Sequence, residues 1–173
     1  MTLRRTAVLL ILLALTAMPV SARLQNGDMA PPVSARLLDG KTRLLLSGRD
    51  GRVTVISFWA SWCPPCRHEL PELDKLYRTY HEQGLDMLAI SADEETADIA
   101  AAQRLAAPLQ MPVALMTDTR ADGYGRIRAL PMLYVVDRQG RVRVDGWAGM
   151  QMQDFPALEQ LVKSLLAESP PAP

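Results

Sequence analysis

Cysteine is nearly absent from this chain, with only Cys63 and Cys66 among 173 residues. A protein of this length buries a core large enough to fold without disulfide staples, so the pair is not the framework of a small scaffold. Histidine is as scarce, with His68 and His81 alone. That leaves neither a second cysteine pair nor the spaced histidines of a structural zinc site. Net charge is lacking as well, because 19 basic residues offset 19 acidic ones. No long run of one sign occurs, which excludes the electrostatic footprint of a nucleic-acid binder or of a chain held on anionic lipid. No apolar run reaches the roughly 20 residues of an ordinary membrane span, and no internal repeat is present. What remains is 49% hydrophobic and 22% charged, the balance of a globular protein, long enough for one domain with a short segment in front.

That front segment reads as an export signal. Arg4 and Arg5 precede an apolar stretch over residues 7–20, Pro19 breaks any helix, and Val20-Ser21-Ala22 supplies small residues before a cleavage point. Residues 1–22 are therefore expected to act as a signal peptide, which remains as a membrane anchor if it is not cleaved. No cysteine lies there to carry a lipid. Taking Arg4 and Arg5 from the 19 basic residues leaves 17 against 19 acids, a net of −2. Residues 23–34, with Asn26-Gly27-Asp28 and Pro31-Pro32, read as an extended linker. The domain proper is expected over 35–168, and 169–173 as a flexible tail.

Within 35–168 the pattern alternates. Residues 36–41 and 42–46 flank an Asp39-Gly40 turn, an N-terminal hairpin. Residues 53–59 are β-branched, aromatic and mostly apolar, as in a strand buried on both faces of a sheet. Leu70, Leu73, Leu76, Tyr77 and Tyr80 recur at helical spacing up to Gly84, with Pro71 predicting a kink. Further strands are expected over 85–91, 112–116 and 132–136, a helix over 93–107, and a strand at 141–144 after the turn Asp137–Gly140. Phe155, Leu158, Leu161, Val162, Leu165 and Leu166 mark a last amphipathic helix. The fold class is α/β, a mixed sheet flanked by helices.

The chemistry sits where the first long strand meets the first helix, at Trp62-Cys63-Pro64-Pro65-Cys66. Two cysteines separated by two residues at a helix start can close a small reactive ring. The unpaired N–H groups and positive potential of the helix end favour a thiolate at Cys63, the outer thiol, and the thiolate is the nucleophile. Cys66, one turn deeper, is placed to resolve a mixed disulfide. Pro64 and Pro65 stiffen the loop and supply no N–H, which predicts limited thiolate stabilisation and a pair that is not strongly oxidising. A structural disulfide over two residues would close almost no loop. Covalent haem attachment needs His directly after the second cysteine, where Arg67 stands. A copper carrier using the same two sulfurs is the alternative.

The run Phe58-Trp59-Ala60-Ser61-Trp62-Cys63-Pro64-Pro65-Cys66-Arg67, with Glu69 and Pro71, resembles the thioredoxin superfamily, and within it the TlpA/ResA-type exported thiol–disulfide oxidoreductases. Leu130-Pro131 before a strand, then Asp137 and Gly140, resembles the second signature of that branch. The resemblance covers about residues 35–166. It implies a thioredoxin-like fold and a cis Pro131 beside the disulfide, where neighbouring backbone pairs with a substrate strand. It also implies a reductase of disulfides in exported proteins, recharged by a membrane electron donor in the periplasm and needing no bound cofactor or metal. Met132-Leu133 departs from the Thr or Ser common after that proline, and from the Glu-Thr pair of the cytochrome c maturation subgroup.

Thioredoxins carry an acid six positions before the first cysteine, where this chain has Ser57. The resemblance thus leaves Glu69 as the acid that assists proton transfer. Catalytic candidates are Cys63, Cys66 and Glu69. Candidates for substrate contact are Trp62, Pro64, Pro65, Leu130 and Pro131. His68 reads as an exposed helix residue, Trp59 as core, and the scattered Met111, Met116, Met132, Met150 and Met152 as packing. A monomer is expected.

Overall fold

The computed structural model describes residues 24–127, 129–146 and 154–170. The expected signal at 1–22, Met150, Met152 and the last three residues of the tail lie outside them. Seven strands form one mixed sheet among the described residues: β1 (Val33–Leu37), β2 (Arg43–Leu46), β3 (Val53–Trp59), β4 (Leu85–Ser91), β5 (Val113–Arg120), β6 (Met132–Val136) and β7 (Val142–Val144). Three helices accompany them, α1 (Pro64–Tyr80), α2 (Thr96–Ala106) and α3 (Phe155–Leu166). The order across the sheet is β2-β1-β5-β4-β3-β6-β7. β3, β4 and β5 run parallel, and the remaining neighbours are antiparallel.

Every residue of β3 is buried, Thr54 and Ser57 included, as its mostly apolar, β-branched and aromatic composition leads one to expect of a central strand. Alternation then divides its side chains. Val53, Val55 and Trp59 join Leu70, Leu73, Leu76 and Tyr80 of α1 and Leu158, Val162 and Leu165 of α3 in one core. Ile56 and Phe58 join Leu88, Ile90, Tyr134 and Val136 in a second core on the opposite face. The crossovers β3–α1–β4 and β4–α2–β5 step the same way across the sheet, and crossovers of one hand put both helices on one face. Accordingly Ala102 of α2 is buried in the first core too.

The segment read as a linker is not free of the domain. Leu24 and Ala30 are buried in the second core, Gly27 N–H donates to Val142 O at 2.8 Å, and Ala30 N–H donates to Gly140 O at 2.8 Å. Residues 24–32 thus extend the sheet side of β7, and the Asn, Gly and Pro content that suggested a linker serves the turns that bring them there. α1 continues through Pro71 to Tyr80 as one helix. After a short 3₁₀ turn at His81–Gln83, Gly84 adopts φ +109°, a left-handed stop that side-chain-bearing residues resist. β5 is longer than expected because its outer half pairs with β1, Ser34 against Arg120.

Candidate active site

The site is built at the end of β3. The strand delivers Trp59 into the core, Ala60–Trp62 form a turn closed by Cys63 N–H donating to Ala60 O at 3.1 Å, and Cys63 then caps α1. Cys63 and Cys66 are joined, with S–S 2.08 Å and Cα–Cα 5.3 Å. Pro64 and Pro65 occupy the first two helical positions and have no N–H to give. The Cys66 N–H is the helix-end donor that reaches the Cys63 sulfur, at 3.4 Å. Cys66 is fully buried and Cys63 is 5% exposed, while Pro64 and Pro65 are exposed. The outer sulfur therefore lies just beneath the surface, and the inner one is sealed in the core.

The other expected site residues group around this pair to different degrees. Trp62 is 59% exposed, a large apolar side chain held out in water beside Cys63. It lines an open groove of about 640 Å³ with Ala92, Glu94, Met116, Ile127 and Leu130, so the structure brings Trp62 and Leu130 together. The Leu130–Pro131 peptide is cis, as the resemblance implied, and Leu130 packs against the core that contains both cysteines. Trp59 is buried, as expected, with its indole N–H lacking a hydrogen-bond partner among the described residues. Met111 and Met132 are core residues.

Glu69 follows Cys66 by three positions on α1, close to the same side of the helix. It is half-buried, and burial pushes its carboxyl up from the ordinary 4.5 to about 7. No ion pair offsets that burial among the described residues, so near neutral pH the group both holds and releases a proton. His68 is exposed, as its helix position suggested. No cluster of three or more His, Cys, Asp or Glu side chains is placed to hold a metal ion among the described residues.

One group beside the site was not legible as such in the sequence. Asp93 falls where a helix was expected to begin, but α2 starts only at Thr96, and the Asp93 side chain is fully buried. Its carboxylate accepts hydrogen bonds from Ser61 N–H at 2.9 Å, Ser61 Oγ–H at 2.8 Å and Ser91 Oγ–H at 2.6 Å. The available signal was the clustering of Ser91-Ala92-Asp93 at a strand end with Ser61 across the neighbouring parallel strand.

Fold and site together define a class: a thioredoxin-like protein with a paired dithiol/disulfide at a helix N-terminus. Residues 26–145 match the AhpC/TSA family, and the chain belongs to it. It is similar to the thiol–disulfide oxidoreductase ResA of Bacillus cereus, with 32% identity over 121 residues, 69% of this chain and 68% of that protein. Against ResA of Geobacillus thermodenitrificans the identity is 30% over 148 residues, 80% of this chain and 83% of that one. Among solved structures it resembles a candidate thiol:disulfide interchange protein DsbE from Chlorobium tepidum. The TM-score is 0.65 at 29% identity, covering 83% of this chain and 99% of that one. The activity of the cysteine pair is accordingly that of a thiol–disulfide oxidoreductase.

Proposed function

We propose that the protein reduces disulfides of exported partner proteins in the periplasm, with Cys63 as nucleophile and Cys66 as resolving thiol. The observation that carries the assignment of roles is the difference in access. Cys63 caps the helix just beneath the surface, 5% exposed, and takes the Cys66 N–H on its sulfur, whereas Cys66 is 0% exposed beneath it. In the reduced protein the Cys63 thiolate attacks one sulfur of the partner's disulfide, and the partner's other sulfur leaves as a thiolate. Cys66 then attacks Cys63 within the mixed disulfide, releasing the partner with two thiols and leaving the Cys63–Cys66 disulfide. Glu69, poised near neutral pH by burial, takes the Cys66 proton in the second step and returns it on recharging.

Trp62, Pro64, Pro65, Leu130 and Pro131 supply the contact surface for the partner's extended segment. The direction of electron flow rests on the two prolines, which withhold N–H groups from the thiolate and so keep the pair from being strongly oxidising. A membrane donor must then restore the dithiol. The export reading rests on Arg4, Arg5 and the apolar stretch that follows them.

The test is trapping. With Cys66→Ser, the reduced protein incubated with a disulfide-bearing substrate is expected to accumulate a mixed disulfide through Cys63, seen as a mass sum that thiols release. Accumulation through residue 66 in Cys63→Ser, and none in Cys66→Ser, would reverse the assignment. Cell fractionation with N-terminal sequencing tests the compartment, and a chain found in the cytoplasm with Met1 intact would end the periplasmic reading.

A further inference from the structure

We infer that Asp93 is a positioning residue for the cysteine pair, its buried carboxylate clamping the loop that delivers Cys63 opposite Cys66. Removing a carboxylate from water is costly unless donors satisfy it. Asp93 is 0% exposed and has no ion-pair partner among the described residues. Hydroxyl and main-chain donors alone satisfy it, and two of the three belong to Ser61, two residues before Cys63. The third, from Ser91 Oγ, braces the carboxylate against the end of β4. Ala92 N–H donates to Trp59 O at 2.8 Å, so the segments 59–61 and 91–93 are fastened together at both main chain and side chain. Trp62 is the single residue between this clamp and Cys63.

Holding Cys63 there raises its effective concentration opposite Cys66, which favours the closed disulfide over the open dithiol. Loosening the clamp therefore shifts the pair toward the dithiol and makes it a better oxidant. A clamp serving stability alone would leave that balance unmoved.

The inference rests on Cys63–Cys66 being the redox pair. The experiment equilibrates the parent, Ser61→Ala and Asp93→Asn with mixtures of reduced and oxidised glutathione. The disulfide plus two glutathione thiols gives two cysteine thiols plus one glutathione disulfide. The dithiol fraction is read by acid quenching, alkylation and mass. The equilibrium constant for reduction is expected to rise about threefold in Ser61→Ala, which loses one hydroxyl donor and keeps the N–H bond. In Asp93→Asn it is expected to rise about tenfold, a shift of about 30 mV for a two-electron couple. Constants equal to the parent's in the folded variants, whatever their melting temperatures, overturn the clamp. If Asp93→Asn does not fold, Ser61→Ala decides alone. A parent that does not exchange with glutathione overturns the redox pair and the clamp together, whereas an exchanging parent with unmoved variants overturns only the clamp.

Discussion

Glu69→Gln should make the protein more stable above neutral pH and leave it unchanged in acid. In the unfolded chain the Glu69 carboxyl ionises near its ordinary 4.5, whereas in the folded protein burial holds it protonated up to about 7. Below 4.5 both states are protonated, so glutamine and glutamic acid are equivalent there. Between 4.5 and 7 the folded state binds the extra proton, and the parent loses stability as pH rises. At about 1.36 kcal/mol per pH unit that interval sets a ceiling of about 3 kcal/mol. Because the group is only half withdrawn from water, solvent screening reduces it to about 1–2 kcal/mol. Glutamine carries no charge to bury and escapes this loss. With a urea m-value of about 2 kcal/mol/M for a domain of this size, the unfolding midpoint of Glu69→Gln should exceed the parent's by about 0.5–1 M at pH 8. The two should coincide at pH 4. Parallel midpoints across the whole range, or a displacement of equal size at both ends, would refute the burial argument.

Three further outcomes follow from the packing. Asp74 is buried and its Oδ1 accepts Gln110 N–H at 2.6 Å and Met111 N–H at 2.8 Å, so Asp74→Ala should cost about 2–3 kcal/mol in denaturant unfolding, with the dithiol potential unchanged. Gly140 has φ +83°, and a Cβ there would lie 2.4 Å from Gly48 O. Gly140→Ala should therefore destabilise by about 2 kcal/mol or more and loosen the Ala30–Gly140 pairing, visible as faster amide exchange at Ala30. Leu73 is 1% exposed in the core beneath the cysteines, and Leu73→Ala should cost about 2–5 kcal/mol by calorimetry.

Much of this fold is legible in the sequence because its signals are local. The mostly apolar, β-branched run of β3, the helical spacing from Leu70 to Tyr80 and the Asp137–Gly140 turn each report their own geometry. The cysteine pair is legible for the same reason, since its spacing and its place at a strand–helix junction lie within a few residues. What escapes is long-range. Residues 24–32 look like a linker until Val142 and Gly140, more than 100 positions away, provide their hydrogen-bond partners. Asp93 looks like the first turn of a helix, because nothing adjacent shows that Ser61, 32 positions earlier, will draw its carboxylate inward. Glu69 stands out in the sequence only through the family resemblance, and the packing of the described fold reveals the burial that moves its titration.

The reduction potential of Cys63–Cys66, obtained by equilibrating the protein with defined thiol buffers, tests the central claim most directly. With Pro64 and Pro65 withholding N–H groups from the Cys63 sulfur, a value near the thioredoxin level of about −270 mV is predicted. A value near about −120 mV, the level of a strong disulfide donor, would contradict the assignment as a reductase while leaving the exchange chemistry in place.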